Sequence, residues 1–380
     1  MRKILYISGT RADYGLMRET LISIKRRLGL KIEIVVTGMH LMSEFGNTID
    51  EIKKDKFKIH AVKAVYKDDN RESMASFIGG FILKFTEKIK LVKPDIVLVL
   101  GDRAEMLAGA IVGAYSMIPV VHIHGGDVTS TVDEITRHAI TKLSHVHFAA
   151  TRKSAKRIIE MGEDPWRVHV VGAPGLESIL REKLIPPKRI AKKYNLDTTN
   201  PFLMVIQHPV SIDNKQSLRH MLETMEAIRE LGYQAIVIYP NADSGGRGMI
   251  KVIKKYRKYP FIHIYKSIIR REYLSLMRAT GVLVGNSSSG IIEASSFHLP
   301  VVNIGTRQDG RERAENVIDV SYDREKIKKA IKKAIHNAAF KKKVKKCGNP
   351  YGDGKVSSRI VKELRRIKIN NELLQKRITY

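Results

Sequence analysis

Short, nearly unbroken runs of Val, Ile and Leu recur along the chain, and helix-length amphipathic segments separate them. The first series of runs is 3–9 (KILYISG), 31–38 (KIEIVVTG), 95–101 (DIVLVLG), 119–125 (PVVHIHG), 145–150 (HVHFAA) and 168–173 (VHVVGA). Such continuity is expected of parallel strands covered on both faces. The segments 14–29, 71–93, 103–116, 133–143 and 151–162 then read as helices of right-handed βαβ units. After a Pro- and Lys-rich stretch at 184–200 a second series begins: 202–208, 234–239, 261–265, 282–286 and 300–305. The pattern predicts an α/β fold of two Rossmann-like, doubly wound domains, 1–180 and 181–355. A basic amphipathic helix at about 356–377 fills the remaining segment, 356–380. Ligands of such sheets bind beyond the carboxyl ends of the strands, so two tandem sheets predict an active-site cleft between the domains.

A length of 380 residues suits two domains, and 43% hydrophobic residues supply a core for each. The single cysteine, Cys347, excludes a disulfide framework and a zinc ribbon. No apolar run approaches the ~20 residues of a membrane helix. Met1–Tyr6 leads directly into the first strand and leaves no room for a signal peptide, so a soluble, cytoplasmic protein without membrane partners is expected. No short-period repeat supports a solenoid.

The formal charge of +29 raises the question of a polyanionic partner. Its densest source is 326–346, with ten lysines and no acid. Ile327, Ile331, Ile335 and Ala338 form a stripe there, however, and the segment reads as a surface helix with lysines in water. Aromatic residues are only 7% and Trp166 is the sole tryptophan, so stacking platforms are missing. No specific nucleic-acid partner is expected, only salt-sensitive adventitious binding.

Chemistry is then sought at the strand ends. The first strand runs into Ser8-Gly9-Thr10-Arg11-Ala12-Asp13, which could hold a phosphate through backbone N–H groups and the Arg11 guanidinium. An ordinary N-capped turn accounts for the same residues, and the segment alone leaves both readings open. Asp102, Asp127 and Asp133 lie at or just past neighbouring strand ends. Three carboxylates in one place resist ionising together, an arrangement suited to taking and giving protons. Asp133 could instead cap its helix, with Arg137 as its i,i+4 partner. His122 and His124, at i and i+2 of one strand, face the same side and invite a metal, but no ligand-helix spacing supports one and no metal is expected. In the second half, Ser287, Ser288, Ser289 and Gly290 lead into a helix and offer donors to a diphosphate. Glu293, two turns into that helix, could reach a ribose hydroxyl; the alternative is a serine cap and a glutamate in an ion pair. Residues alone thus describe an enzyme acting on a nucleotide-activated small molecule.

In order along the chain stand GTRADYG (9–15), GMHLMSEFGNT (38–48), GDRAE (101–105), HIHGGD (122–127) and DEITRHAITKLSH (133–145). PNADSGG (240–246), GNSSSGIIEA (285–294), VNIGTRQDGR (302–311) and NPYGDG (349–354) follow. This set resembles the hydrolysing UDP-N-acetylglucosamine 2-epimerases of sialic-acid-type sugar synthesis, over nearly the whole chain. The resemblance implies a GT-B-like architecture with the last helix crossing back onto the first domain. It also implies anti-elimination of UDP to a 2-acetamidoglucal, then hydration to N-acetylmannosamine, without a metal or redox cofactor. Matched to this chain, Asp102, Asp127 and Asp133 would be the catalytic carboxylates and Arg137 a supporting charge. Arg11, His208, Ser287, Ser288 and Arg307 would hold the diphosphate, Glu293 the ribose, and Asn241 a further part of the UDP-sugar. The family's usual HGGE is HGGD here, so Asp127 is one methylene shorter, which points to a tighter pocket or to a related sugar such as a diamino-trideoxyhexose. Competing outcomes are a non-hydrolysing epimerase that returns UDP-N-acetylmannosamine and a glycosyltransferase that needs an acceptor. A homodimer or larger assembly is implied by the same resemblance.

Overall fold

The computed structural model describes residues 1–43, 48–64, 71–129, 132–197, 199–210, 216–240 and 245–380. These fall into two compact units. The N-terminal unit comprises Met1–Asp127, Val132–Leu180 and Tyr351–Tyr380, and the C-terminal unit Arg181–Pro350 with Val128–Thr131.

The N-terminal unit is built on β1 (Arg2–Ser8), β2 (Leu30–Val36), β3 (Lys58–Ala61), β4 (Ile96–Leu100), β5 (Val120–Ile123), β6 (Val146–Ala149) and β7 (Val168–Val170). All pair in parallel, in the order β3-β2-β1-β4-β5-β6-β7. Every residue of β4 (IVLVL) is buried, because helices cover both faces. Each such side chain taken from water contributes roughly 1.5–3 kcal/mol. The strand order reverses between β1 and β4, which makes the loops after these strands the expected ligand crevice.

The strand β3 was not expected. Its sequence KIHA is short, and none of its residues is buried, as befits an edge strand with no apolar run to announce it. The expected final helix is broken: Val356–Arg366 and Asn371–Leu374 are separate, and Asn370 caps the second with its side chain. Val356, Ile360, Val361, Leu364 and Leu373 enter the core shared with Leu98, Ile123 and Phe148. Polar fasteners add to this packing. Arg2 donates to the Ile367 carbonyl (2.6 Å), and Arg167 to those of Leu373 and Glu372 (2.9 and 2.7 Å). Lys376 reaches the buried Glu163 carboxylate (2.8 Å).

The C-terminal unit holds β8 (Leu203–Ile206), β9 (Ala235–Ile238), β10 (Ile262–Tyr265), β11 (Val282–Gly285), β12 (Val301–Ile304) and β13 (Val317–Val320). Their order is β10-β9-β8-β11-β12-β13, again all parallel, with the reversal between β8 and β11. β13 (VIDV) is the second unexpected strand and also lies at an edge with no buried residue. The lysine-rich segment forms two helices, Arg324–His336 and Ala338–Lys346. Asn337 caps the second, accepting from Phe340 N, and this turns the chain so that Ala338 is exposed. Phe340 and Val344 continue the buried stripe in its place.

Candidate active site

The turn after β1 is organised by Asp13. Its carboxylate accepts from the backbone N–H of Gly9 (3.0 Å) and Thr10 (2.7 Å), from Thr10 Oγ1 (2.9 Å) and from Ser8 Oγ. Thr10 in turn caps the helix Arg11–Lys25. Of the backbone donors that the sequence offered to a phosphate, those of Gly9 and Thr10 are therefore taken by Asp13 within an N-capped turn. Arg11 opens the helix with its Nε 2.7 Å from Glu51 Oε1. Behind the turn, His40 bridges Ser8 Oγ (2.9 Å) and Thr48 Oγ1 (2.7 Å), and burial pushes it down to about 4.

Past β4 stands Asp102, whose side chain is 26% exposed, and past β5 stands Asp127, at 4%. Arg137, at 1%, projects from the helix Val132–Leu143 and joins them. Its Nη2 pairs with Asp102 Oδ2, and its Nη1 donates to the Asp127 backbone carbonyl (2.8 Å). Burial works against the charge of Arg137, but the carboxylates of Asp102, Asp127 and Asp133 more than offset it, so its pKa lies above the ordinary value. Asp133 lies one turn before Arg137 on the same helix face and is half-buried. The three aspartates thus all act on one buried guanidinium.

One backbone feature and one side chain set Asp127. Gly126 has φ +76°, and a Cβ there would meet the Ser154 carbonyl oxygen at 2.3 Å, so only glycine permits this approach. Ser154, from the helix Arg152–Glu160, then donates Oγ to Asp127 Oδ1 at 2.6 Å. His124 Nδ1 lies 3.6 Å from Asp127 Oδ2.

The histidines have structural partners. His122 Nε2 donates to the Gly101 carbonyl (2.7 Å) just before Asp102, and Nδ1 faces Thr141 Oγ1 (3.2 Å). Burial pushes His122 down to about 3, so it stays neutral. β5 ends at Ile123 and His124 has φ +64°, so the strand alternation that would set His122 and His124 on one side stops before the second. His145 Nδ1 accepts from Val120 N (3.1 Å), and His147 Nε2 meets Glu163 Oε2 (3.0 Å). Among the described residues, no group of three or more His, Cys, Asp or Glu could hold a metal ion.

In the C-terminal unit, β8 and β11 are tied by Asn286. Its Oδ1 accepts from His208 N (2.7 Å) and its Nδ2 donates to His208 O (2.9 Å). Gln308 Nε2 and Arg307 Nη1 converge on the Asn286 carbonyl at 2.9 and 3.4 Å. Gly285 (φ +125°) brings the strand end so close that a Cβ would meet the Ile206 carbonyl oxygen at 2.0 Å. His208 thereby stands just past β8, Ser287 just past β11 with Ser288 opening the helix Ser288–Ile292, and Arg307 just past β12. Ser287 Oγ lies 3.0 Å from Ser289 Oγ, which also contacts the Tyr273 hydroxyl.

Glu293 does not lie two turns into a helix. The helix is only Ser288–Ile292, and Glu293 caps its end before the 3-10 turn Ala294–Phe297. Its carboxylate pairs with Arg270. Asn241 lies outside the described residues, as do 44–47 of the second motif.

Sequence reasoning missed Asn286, Ser154, Arg270 and Tyr273 as organising residues. Asn286 stands in a motif already singled out and a strand-end asparagine is a signal for it. The other three lie on helices with no local mark, and only packing brings them to the loops they hold.

Two doubly wound parallel-sheet units, one presenting carboxylates around an arginine and the other hydroxyls beside an arginine, define an α/β enzyme of GT-B-like architecture. The family model for UDP-N-acetylglucosamine 2-epimerase matches residues 22–365. The chain is 43% identical over 380 residues to the UDP-N,N'-diacetylbacillosamine 2-epimerase (hydrolyzing) of Legionella pneumophila, covering 99% of both. To the UDP-N-acetylglucosamine 2-epimerase of Neisseria meningitidis it is 33% identical over 343 residues, covering 90% of this chain and 89% of that one. A crystal structure of UDP-GlcNAc 2-epimerase from Neisseria meningitidis bound to UDP-GlcNAc shares the fold, with a TM-score of 0.80 at 20% identity over 96% of this chain and 100% of that one. The chain belongs to the UDP-N-acetylglucosamine 2-epimerase family of enzymes. Among its described residues no helix is long and apolar enough to cross a membrane.

Proposed function

We propose that the protein is a hydrolysing 2-epimerase of a UDP-linked 2-acetamido sugar. The observation that carries the reading is the buried Arg137 shared by Asp102, Asp127 and Asp133 at the strand ends. One of the carboxylates takes the proton from carbon 2. The bond from carbon 1 to the diphosphate oxygen breaks, its electron pair leaves with UDP, and a double bond forms between carbons 1 and 2. Water then adds its hydroxyl at carbon 1, and a proton returns to carbon 2 from the opposite face. The free epimerised sugar and UDP are released, so the overall change consumes one water.

Charge supports this division of labour. Arg137 offsets the mutual repulsion of the three aspartates, which lets general acid and base groups share one site. Asp102, the more open of the two carboxylates flanking Arg137, is the one we assign to contact the sugar. Asp127 is then the more enclosed partner, oriented by Ser154. In the other unit Arg307, His208, Ser287 and Ser288 are assigned to the diphosphate, Glu293 to the ribose and Arg11 to supporting the leaving anion.

The sugar we favour is the N,N'-diacetylbacillosamine moiety. Two features support it over N-acetylglucosamine: Asp127 in place of the family's usual glutamate, and the 43% identity to a relative named for that substrate. Incubation with both UDP-sugars, followed by product separation, tests both parts. Free sugar plus UDP is expected, with the diacetamido substrate turned over faster. A persisting mixture of UDP-sugars would defeat hydrolysis, and inertness without an acceptor would favour a transferase.

A further inference from the structure

The helix Arg270–Ala279 turns one face toward the serine loop that follows β11. Arg270 and Tyr273 stand one turn apart on it. Arg270 Nη2 pairs with Glu293 Oε1, and the Tyr273 hydroxyl meets Ser289 Oγ, so one helix grips the short helix Ser288–Ile292 and its C-cap at two points four residues apart. Both ionic partners are enclosed: the Glu293 side chain is 3% exposed and that of Arg270 12%.

We infer that Arg270 is a positioning residue that presents the Glu293 carboxylate to the 2′- and 3′-hydroxyls of the nucleotide, and so sets the preference for ribose over deoxyribose. This rests on the proposed reading of the C-terminal unit as the UDP-holding one. Three physical arguments carry it. A guanidinium has donors only, so the carboxylate it pairs with is kept as an acceptor, which is what a pair of hydroxyl donors requires. A carboxylate enclosed to this degree is costly without a partner, and Arg270 supplies one. An uncompensated negative charge five residues from Ser288 would also oppose a diphosphate on the same loop, and pairing with Arg270 cancels it. Burial, together with the nearby Glu293, pushes the Tyr273 hydroxyl up, so the second grip point keeps its proton.

A scaffold role for Arg270 would weaken every nucleotide alike. A positioning role also removes the discrimination between UDP and 2′-deoxy-UDP. The experiment is calorimetric titration of UDP and of 2′-deoxy-UDP into wild type, Arg270→Met, Arg270→Lys and Tyr273→Phe, with thermal melts on each. Wild type is expected to bind UDP about tenfold tighter than 2′-deoxy-UDP. In Arg270→Met the UDP affinity falls to that of 2′-deoxy-UDP in the same variant, so the discrimination is lost, on top of a common loss that both nucleotides share through the 3′-hydroxyl and the uncompensated charge. Arg270→Lys keeps the charge without the fork and is expected to lose part of the discrimination. Tyr273→Phe is expected to weaken both nucleotides equally, because it touches the serine loop and not Glu293. Unchanged discrimination in Arg270→Met overturns the inference while leaving the UDP reading in place. If that variant melts below the assay temperature, unchanged discrimination in Arg270→Lys overturns it instead. A wild type that binds neither nucleotide at millimolar concentration overturns the UDP reading and this inference with it.

Discussion

Arg137, almost wholly enclosed, meets the partly open carboxylate of Asp102 in an ion pair that joins the helix Val132–Leu143 to the end of β4. The same guanidinium holds the Asp127 backbone carbonyl. One side chain thus sets the spacing of two strand ends and supplies positive charge to three aspartates.

Replacing Arg137 with Met should therefore act on both stability and rate. Breaking an enclosed pair by removing one partner typically costs about 3–5 kcal/mol, and misplacing a reacting group by ~1 Å costs about 100-fold in rate. Thermal melts and kcat of Arg137→Met and Arg137→Lys measure the two effects. A kcat at the wild-type level in Arg137→Met would remove this residue from the site.

Asp127→Asn keeps the shape and the contact with Ser154 but loses the carboxylate. Turnover should fall by at least about 100-fold, as expected for loss of a general acid or base. UDP affinity, measured by titration, should stay within about twofold of wild type. Retained turnover would take Asp127 out of the mechanism.

Acid should destabilise the fold in a defined window. Burial pushes His122 down to about 3 and His40 and His145 to about 4, against ~6.5 in an unfolded chain. As pH falls below ~6.5 the unfolded chain takes up protons that the native histidines refuse, so stability drops until the folded values are reached. At pH 5 each histidine costs about 2 kcal/mol on this basis. Glu163 acts lower: burial pushes it up, but bonds from His147, Lys142 and Lys376 hold it at about 2, so its contribution is lost only below ~4.5. Melting temperatures from pH 7 to pH 4.5 test this, and His122→Gln should flatten the curve. An unchanged curve in that variant would show that His122 does not report the buried, neutral state.

Asn286→Ala should uncouple β8 from β11. The variant leaves the backbone N–H and carbonyl of His208 without their side-chain partner. Each enclosed group so stranded costs about 1–3 kcal/mol. Both the melting temperature and the UDP affinity are expected to fall. A variant that melts normally yet binds UDP poorly would instead make Asn286 a direct ligand contact.

Much of this molecule is legible before it folds. The continuous apolar runs mark eleven of the thirteen strands seen among the described residues, because a strand covered on both faces must be apolar at every position. β3 and β13 escape for the converse reason: an edge strand borrows its hydrogen bonds from a neighbour and buries little. Asp102, Asp127 and Asp133 stand out because strand ends are where such sheets keep their chemistry, and Arg137 because it lies one turn beyond Asp133. The Asp13 turn reads two ways in sequence, since a capping box and a phosphate loop use the same residue types and differ in which acceptor reaches the N–H groups, and the structure shows the capping box.

Sequence alone determined the α/β class, the two series of parallel strands and the family, because those depend on periodicity and on ordered motifs that survive in one dimension. Tertiary structure decided which groups are already occupied. Arg270 lies 23 residues before Glu293, Ser154 lies 27 after Asp127, and Arg137 lies 35 after Asp102, yet each pair is in contact. No local pattern links such residues, since their meeting depends on how whole helices seat against a sheet. Whether a carboxylate is free for a substrate or held by a neighbour is settled only by that packing.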